Sequence, residues 1–202
     1  MKLTYWLLAG LFASSSLYAQ EVAAQNIEMR YSTLYSKLKQ NVKEGHDDVK
    51  IALFLLNQQD GSVCHIHKGS MRKDKHFEEL VIPENNELTV PVDTNLRQAN
   101  PDVTFVIDDG ITCDVSMQVI AKKYYGTAIT QTDIAELVPQ MNELLSALGG
   151  MFSGWFMPDV EGVVVHFNDG DTKVLKLSSL ADGEIVNFHQ PAVKVTPWIP
   201  QA

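Results

Sequence analysis

A chain of 202 residues, 45% hydrophobic and 20% charged, has enough apolar residue for one packed core and too much for a disordered chain. Its 25 acidic against 16 basic residues give a net charge of −9, which excludes a typical nucleic-acid binder because phosphate contacts need a surplus of Lys and Arg. Outside the N-terminus no apolar run approaches the roughly 20 residues of a membrane span, so a soluble body without a transmembrane helix is expected.

Residues 1–19 have the layout of a secretory signal peptide. Lys2 supplies positive charge, residues 5–12 a short apolar stretch, and residues 13–19 a small-residue region ending at a cut after Ala19, with a cut after Ala24 as the alternative. The protein is therefore expected to be periplasmic or secreted. Ile27, Tyr31, Leu34, Tyr35, Leu38 and Val42 then form one apolar stripe at helical spacing, which predicts an amphipathic helix ending at Gly45. The run 49–57 is apolar on both faces, as a central or helix-covered strand is. Asp60-Gly61 separates it from a strand at 63–67. Strands at 79–82 and 87–92 flank Pro83-Glu84-Asn85-Asn86, and strands at 103–108 and 111–121 flank Asp109-Gly110.

A second helix follows, with Ile134, Leu137, Val138, Met141, Leu145 and Leu148 on one face. Thr130 or Thr132 caps its start, Gly149-Gly150 ends it, and Pro139 should kink it or confine its regular part. Strands at 160–168, 172–177 and 184–189 surround Asp169-Gly170 and Asp182-Gly183. Asp-Gly accepts positive φ at low cost, so the four pairs read as hairpin turns. The expected fold is α+β: a single domain over 20–195, mostly antiparallel sheet built from Asp-Gly hairpins, with two amphipathic helices. Pro197 and Pro200 predict that residues 196–202 leave the sheet as an extended arm.

The two cysteines, Cys64 and Cys113, are far apart in sequence and form no C-x-x-C motif. Export makes one structural disulfide their expected state. Alternation supports it. Cys113 shares a strand face with Val115, Met117 and Val119, and Cys64 shares one with Ile66, so both sulfurs are expected to point inward.

The run Gly149-Gly150-Met151-Phe152-Ser153-Gly154-Trp155-Phe156-Met157-Pro158-Asp159-Val160-Glu161-Gly162 resembles a family of exported proteobacterial envelope proteins catalogued as a domain of unknown function. Tyr31-Ser32, Leu34-Tyr35, Leu38-Lys39 and Ala99-Asn100-Pro101-Asp102-Val103 share that resemblance, which extends over roughly 27–167. It implies an envelope protein and carries no activity with it.

No G-x-S-x-G, H-E-x-x-H, G-x-G-x-x-G or G-K-[ST] motif is present, and Ser153 lacks the Gly two residues before it that a nucleophile elbow requires. No cofactor is implied. His65 and His67 lie two apart on a predicted strand, so their imidazoles could share Zn²⁺ or Cu²⁺, with His76 or His46 as a third ligand. Lys68, Arg72, Lys73 and Lys75 make a basic block suited to an anionic envelope component. Phe152, Trp155, Phe156 and Met157 make an adhesive segment suited to ligand or partner contact. Asp108-Asp109 and Asp169-Gly170-Asp171 lack the spacing of a calcium loop and are explained as turns.

These features together point to a non-enzymatic periplasmic protein that binds an envelope component or a protein partner. A periplasmic hydrolase with dispersed catalytic residues and a metal-binding accessory protein are the alternatives. N-terminal sequencing of protein taken from native envelopes should begin at Gln20. Retention of Met1 on a cytoplasmic protein would refute export.

Overall fold

The computed structural model describes residues 23–149 and 159–200. The predicted signal segment 1–19 and the aromatic segment 151–157 lie outside the described residues. In chain order the strands are β1 (Ala24–Arg30), β2 (Val49–Asn57), β3 (Ile66–Lys73), β4 (His76–Leu80), β5 (Asp102–Asp108), β6 (Cys113–Ala121), β7 (Gly126–Thr130), β8 (Gly162–Phe167), β9 (Thr172–Lys176) and β10 (Ile185–Trp198). The helices are α1 (Tyr31–Leu38), α2 (Thr94–Ala99) and α3 (Gln131–Gly149). The fold is α+β in a single domain. Its strands form two antiparallel sheets, β1-β5-β3-β4 and β7-β10-β8-β9, and an antiparallel ribbon of β2 and β6.

One core joins these parts. Val49, Ile51, Leu53 and Leu55 of β2 meet Tyr31, Leu34 and Leu38 of α1, Ile134, Leu137 and Met141 of α3, and inward residues of both sheets. The opposite face of β2 forms a second, smaller cluster of Ala52, Phe54 and Ile120. The expectation of an apolar strand covered on both faces holds. On one edge β2 pairs with β6. On the other, Asn41 gives its amide to the Ile51 carbonyl at 2.8 Å and accepts from the Ile51 N–H at 2.7 Å. The Leu88 N–H bonds to the Leu53 carbonyl, and the Cys64 N–H to the Leu55 carbonyl, each at 2.8 Å.

The first helix is shorter than its stripe predicted. Ile27 belongs to β1, opposite Phe105, and Met29 lies opposite Val103. Ile27 satisfies both the helical and the two-residue period, and pairing with β5 selects the strand. Residues Lys39–Val42 form a 3₁₀ turn. Arg30 gives α1 no side-chain cap, so its first N–H groups need outside partners. The Tyr31 N–H bonds to the Pro101 carbonyl at 3.0 Å and the Ser32 N–H to Asn100 Oδ1 at 2.9 Å. Asn100 itself ends α2 in the left-handed region at φ 48°. Two of the segments that carry the family resemblance thus hold each other.

Thr130, not Thr132, caps α3. Its hydroxyl accepts from the Asp133 N–H at 3.0 Å while Asp133 accepts from the Thr130 N–H at 3.0 Å, a reciprocal capping box. The helix runs through the exposed Pro139. Asn142 on α3 bonds the Val160 N–H and carbonyl, which fixes the chain where it leads into β8. Gly162 is required there, because a Cβ would lie 2.2 Å from the Leu175 carbonyl oxygen.

Four further expectations need correction. All four Asp-Gly glycines have positive φ, but only Asp169-Gly170 joins two paired strands, β8 and β9. Asp60-Gly61 closes a stub bridged at Leu56 and Val63, and the other two turns lead to strands that do not pair. Turn chemistry is local, whereas partner choice depends on distant residues. Second, the tight two-residue hairpin loop is Asp74-Lys75, between the paired Lys73 and His76, with Asp74 at φ 51°. Residues 87–92 form no strand.

Third, Val115 and Met117 are 40% and 41% exposed although their β2 partners Leu55 and Leu53 are fully buried, because β6 pairs with β2 alone among the described strands. Cys64 is buried, Cys113 is half-buried, and the two form the expected disulfide with Cα atoms 6.6 Å apart. Fourth, residues 196–198 are strand, not arm, and pair with Val164, Val163 and Gly162. Pro197 is tolerated because β7 pairs with β10 only at residues 185–187 and 192, leaving no partner for the missing donor.

Replacing Asn41 with Ala leaves the N–H and carbonyl of Ile51 without partners in a buried strand. Urea unfolding should show a loss of about 2–4 kcal/mol, since each orphaned buried group costs roughly 1–3 kcal/mol.

Candidate functional site

The site begins with an irregularity in β10. Ala192 pairs with Phe167 and Lys194 with His166, so Val193 is an extra residue in the ladder with β8. The bulge changes the phase of the strand. Ala192 and Val195 both reach the main core, at 2% and 3% exposure, while Lys194 and Thr196 turn to the opposite face. His166 lies there too, because Val163, Val165 and Phe167 of β8 occupy the core side.

This face of β8 and β10 looks onto the outer face of the ribbon. The Lys194 ammonium donates to Gln118 Oε1 at 2.7 Å and stands 5.0 Å above the centre of the Phe54 ring. Among the described residues no carboxylate lies within ion-pair distance of it. Two acids, Glu84 and Glu87, line hollows beside it, and Glu87 is 7% exposed and uses both oxygens on Lys50, at 2.8 Å each. Burial holds the Lys194 pKa below the ordinary lysine value. Burial first, and the Lys194 charge second, push the His166 pKa down to about 4. His166 is therefore neutral at physiological pH and shares a 2.8 Å hydrogen bond with the Thr196 hydroxyl.

Three hollows meet at Lys194. One of about 170 Å³ lies towards Lys50, Glu87 and Tyr125. One of about 700 Å³ is lined by Phe54, Asn85, Phe167, Pro191 and Val193. One of about 490 Å³ runs along Leu56, Val63, Leu145, Pro197 and Ile199, with Gln118, His166, Lys194 and Thr196 as its polar lining. The two larger hollows have the size of small-molecule sites. Of the three, the hollow of about 490 Å³ offers one cation, Lys194, with neutral hydrogen-bonding groups and apolar walls.

The sequence-derived candidates are placed elsewhere. His65 and His67 do project together, with ring centroids 4.8 Å apart, and His67 Nε2 lies 2.7 Å from Asp108 Oδ1. His46 is buried before β2, and His76 sits opposite Lys73, six residues along β3 from His67 and roughly 20 Å away at strand rise. Neither joins the pair. Among the described residues the three donors that gather within 4.8 Å are Asp169 and Asp171 of the β8–β9 turn and His189 of β10, all exposed. The turn's own Asp171 N–H bonds Asp169, and this bond chiefly holds its carboxyl below the usual range.

Lys68, Arg72, Lys73 and Lys75 are exposed on β3 and its hairpin loop. Acids interleave with them: Asp102 pairs across from Arg72 and bonds Arg30, and Glu79 lies beside Ser70. Arg72 covers Phe77, 5.0 Å from its ring centre. Phe152, Trp155, Phe156 and Met157 lie outside the described residues. Sequence reasoning missed Lys194 and His166. The available signal was a charged residue in Ala192-Val193-Lys194-Val195 and a histidine in Val163-Val164-Val165-His166-Phe167, single polar positions inside otherwise apolar strands.

The fold and cleft define an α+β protein with a half-buried cation between a ribbon and a sheet. Residues 23–167 match the family described as "Protein of unknown function (DUF2987)", and the chain belongs to that family. The match includes Phe54, Gln118 and His166 and stops before Lys194 and Thr196. Neither the comparison with curated proteins nor that with solved structures gives a match.

The buried histidine sets a pH dependence. Its folded pKa lies below the unfolded value of about 6.5, so between about pH 6.5 and 4 the unfolded chain binds the extra proton. Its contribution to stability is intact above that window and is lost as the pH falls through it. Urea midpoints measured at pH 7 and 4.5 should show a drop, and His166→Gln should flatten it. An unchanged drop in the variant would assign the acid sensitivity to other groups.

Proposed function

We propose that this is a non-enzymatic binding protein of the cell envelope and that its ligand occupies the cleft around Lys194. The observation that carries the reading is a half-buried ammonium, without an acidic partner among the described residues, at the junction of three hollows. A desolvated charge is costly unless something compensates it. Gln118 and the Phe54 ring compensate in part, and a bound ligand would supply the rest. Neighbouring Lys50 has its charge matched by Glu87, so its role is structural.

The cleft also favours binding over hydrolysis. His166 bonds Thr196, but none of the hydrogen bonds described brings a carboxylate to orient the imidazole, as a catalytic triad requires. Placement in the envelope rests on the signal-like residues 1–19 and on the Cys64–Cys113 disulfide, which fits an oxidising compartment. Among the described residues no helix is long and apolar enough to cross a membrane.

Native mass spectrometry of protein purified from its own envelope should show a small bound mass. That mass should be absent from Lys194→Met purified the same way, with both proteins folded by circular dichroism. A wild-type protein that carries no ligand and binds none from an envelope extract would overturn the reading.

A further inference from the structure

We infer that the ligand of this cleft is a single-chain fatty carboxylate, seated with its carboxylate on Lys194 and its chain along the hollow between β10 and the ribbon. The inference rests on the binding role proposed above and adds the chemical class of the ligand.

The sign of the head group follows from charge. Lys194 is cationic, Glu87 is neutralised by Lys50, and His166 is neutral at physiological pH. An anion placed on Lys194 gains a charge-assisted hydrogen bond, and a cation meets an unbalanced positive site. A single ammonium balances a single negative charge. A phosphate monoester would bring a second charge into a half-buried space with no second free cation among the described lining residues of this hollow. Thr196 and Gln118 stand beside the ammonium with further hydrogen-bonding capacity for the second carboxylate oxygen.

The tail follows from shape and lining. In the hollow of about 490 Å³ the polar side chains are hydrogen-bonded in pairs, Lys194 with Gln118 and His166 with Thr196, and Leu56, Val63, Leu145, Pro197 and Ile199 add apolar walls. This lining suits an amphiphile. A compact polar anion would leave the apolar walls wet, and a neutral hydrocarbon would leave the ammonium uncompensated. Val63, on a short bridge to Leu56, lines the hollow and is 38% exposed.

Decanoate, decanol, decyl phosphate and decyltrimethylammonium, each below its micelle threshold, provide the test by calorimetric titration of the mature chain. Decanoate should bind at least about 10-fold more tightly than decanol and the cationic analogue, given roughly 1.5–3 kcal/mol for a hydrogen bond to a charged group. Lys194→Met should lose that advantage while binding decanol as before, and Lys194→Arg should keep most of it. Val63→Trp, which fills the hollow, should abolish decanoate binding. Equal binding of decanoate and decanol, unchanged in Lys194→Met, would overturn the carboxylate assignment while leaving a ligand cleft in place. Tighter binding of decyl phosphate would replace the carboxylate with a phosphate head and so refute the inference as stated. Unchanged decanoate binding by Val63→Trp would place the ligand elsewhere and refute it too. If no probe binds but an envelope ligand is still found on the native protein, the fatty class alone fails; if neither binds, the cleft reading fails with it.

Discussion

A strand that is apolar on both faces must be covered twice, and its backbone must be paired along both edges. β2 imposes both demands. Ile51, Leu53 and Leu55 are fully buried on one face, and Ala52 and Phe54 on the other. Helices α1 and α3 and the two sheets close the first face, while the second belongs to the small cluster that borders Lys194. Edge pairing recruits more of the chain. β6 takes one side, and Asn41, Leu88 and Cys64 each bond a different residue of the other. These partners come from three separate segments, so satisfying one strand fixes the approach of the turn after α1, the segment before α2 and the start of the disulfide. The alternative is unpaired peptide groups in a dry core, at roughly 1–3 kcal/mol each.

The second face of β2 explains why a cleft forms where it does. On the first face packing is tight, and Leu53 and Val163 are completely excluded from solvent. On the outer side the cluster holds only Ala52, Phe54 and Ile120, with Leu56 beside it, too little to fill the space between ribbon and sheet. The bulge at Val193 turns a lysine into that space where regular alternation would have sent it to the core. Two lysines thus enter a partly dry region, and only Lys50 meets an acid. The proposed ligand site rests on that asymmetry.

Much of the local structure was legible in the sequence, and the assembly was not. The run 49–57, the start of α3 to within two residues and the positive φ of every Asp-Gly glycine follow from patterns contained within a few residues, and the disulfide from there being two cysteines on inward strand faces. Errors arose where two patterns overlapped or where a distant partner decided. Ile27 fits a helix and a strand equally, and only β5 selects between them. Pro197 argues against a strand unless it is known that one edge lacks a partner. Asp109-Gly110 is a proper turn, yet the strands beside it belong to different sheets. Lys194 was invisible for a related reason. Its importance comes from the bulge, Gln118 and Phe54 together, and these lie far apart in the chain. The basic block, conspicuous as a run of letters, is diluted in space by Asp102, Glu28 and Glu79 on neighbouring strands.

The position of β10 bears on when the molecule becomes complete. It is last in chain order among the strands, yet it lies inside its sheet, between β7 and β8. Until residues 185–198 arrive, β7 and β8 have no common neighbour and each presents an open edge. A polypeptide emerging N-terminus first, from a ribosome or through a narrow membrane channel, holds the β1-β5-β3-β4 sheet and the ribbon well before it holds the second sheet. Closure then depends on long-range pairing, which is intrinsically slow. Lys194 reaches its place only at this final step. The cleft comes into being with the last strand.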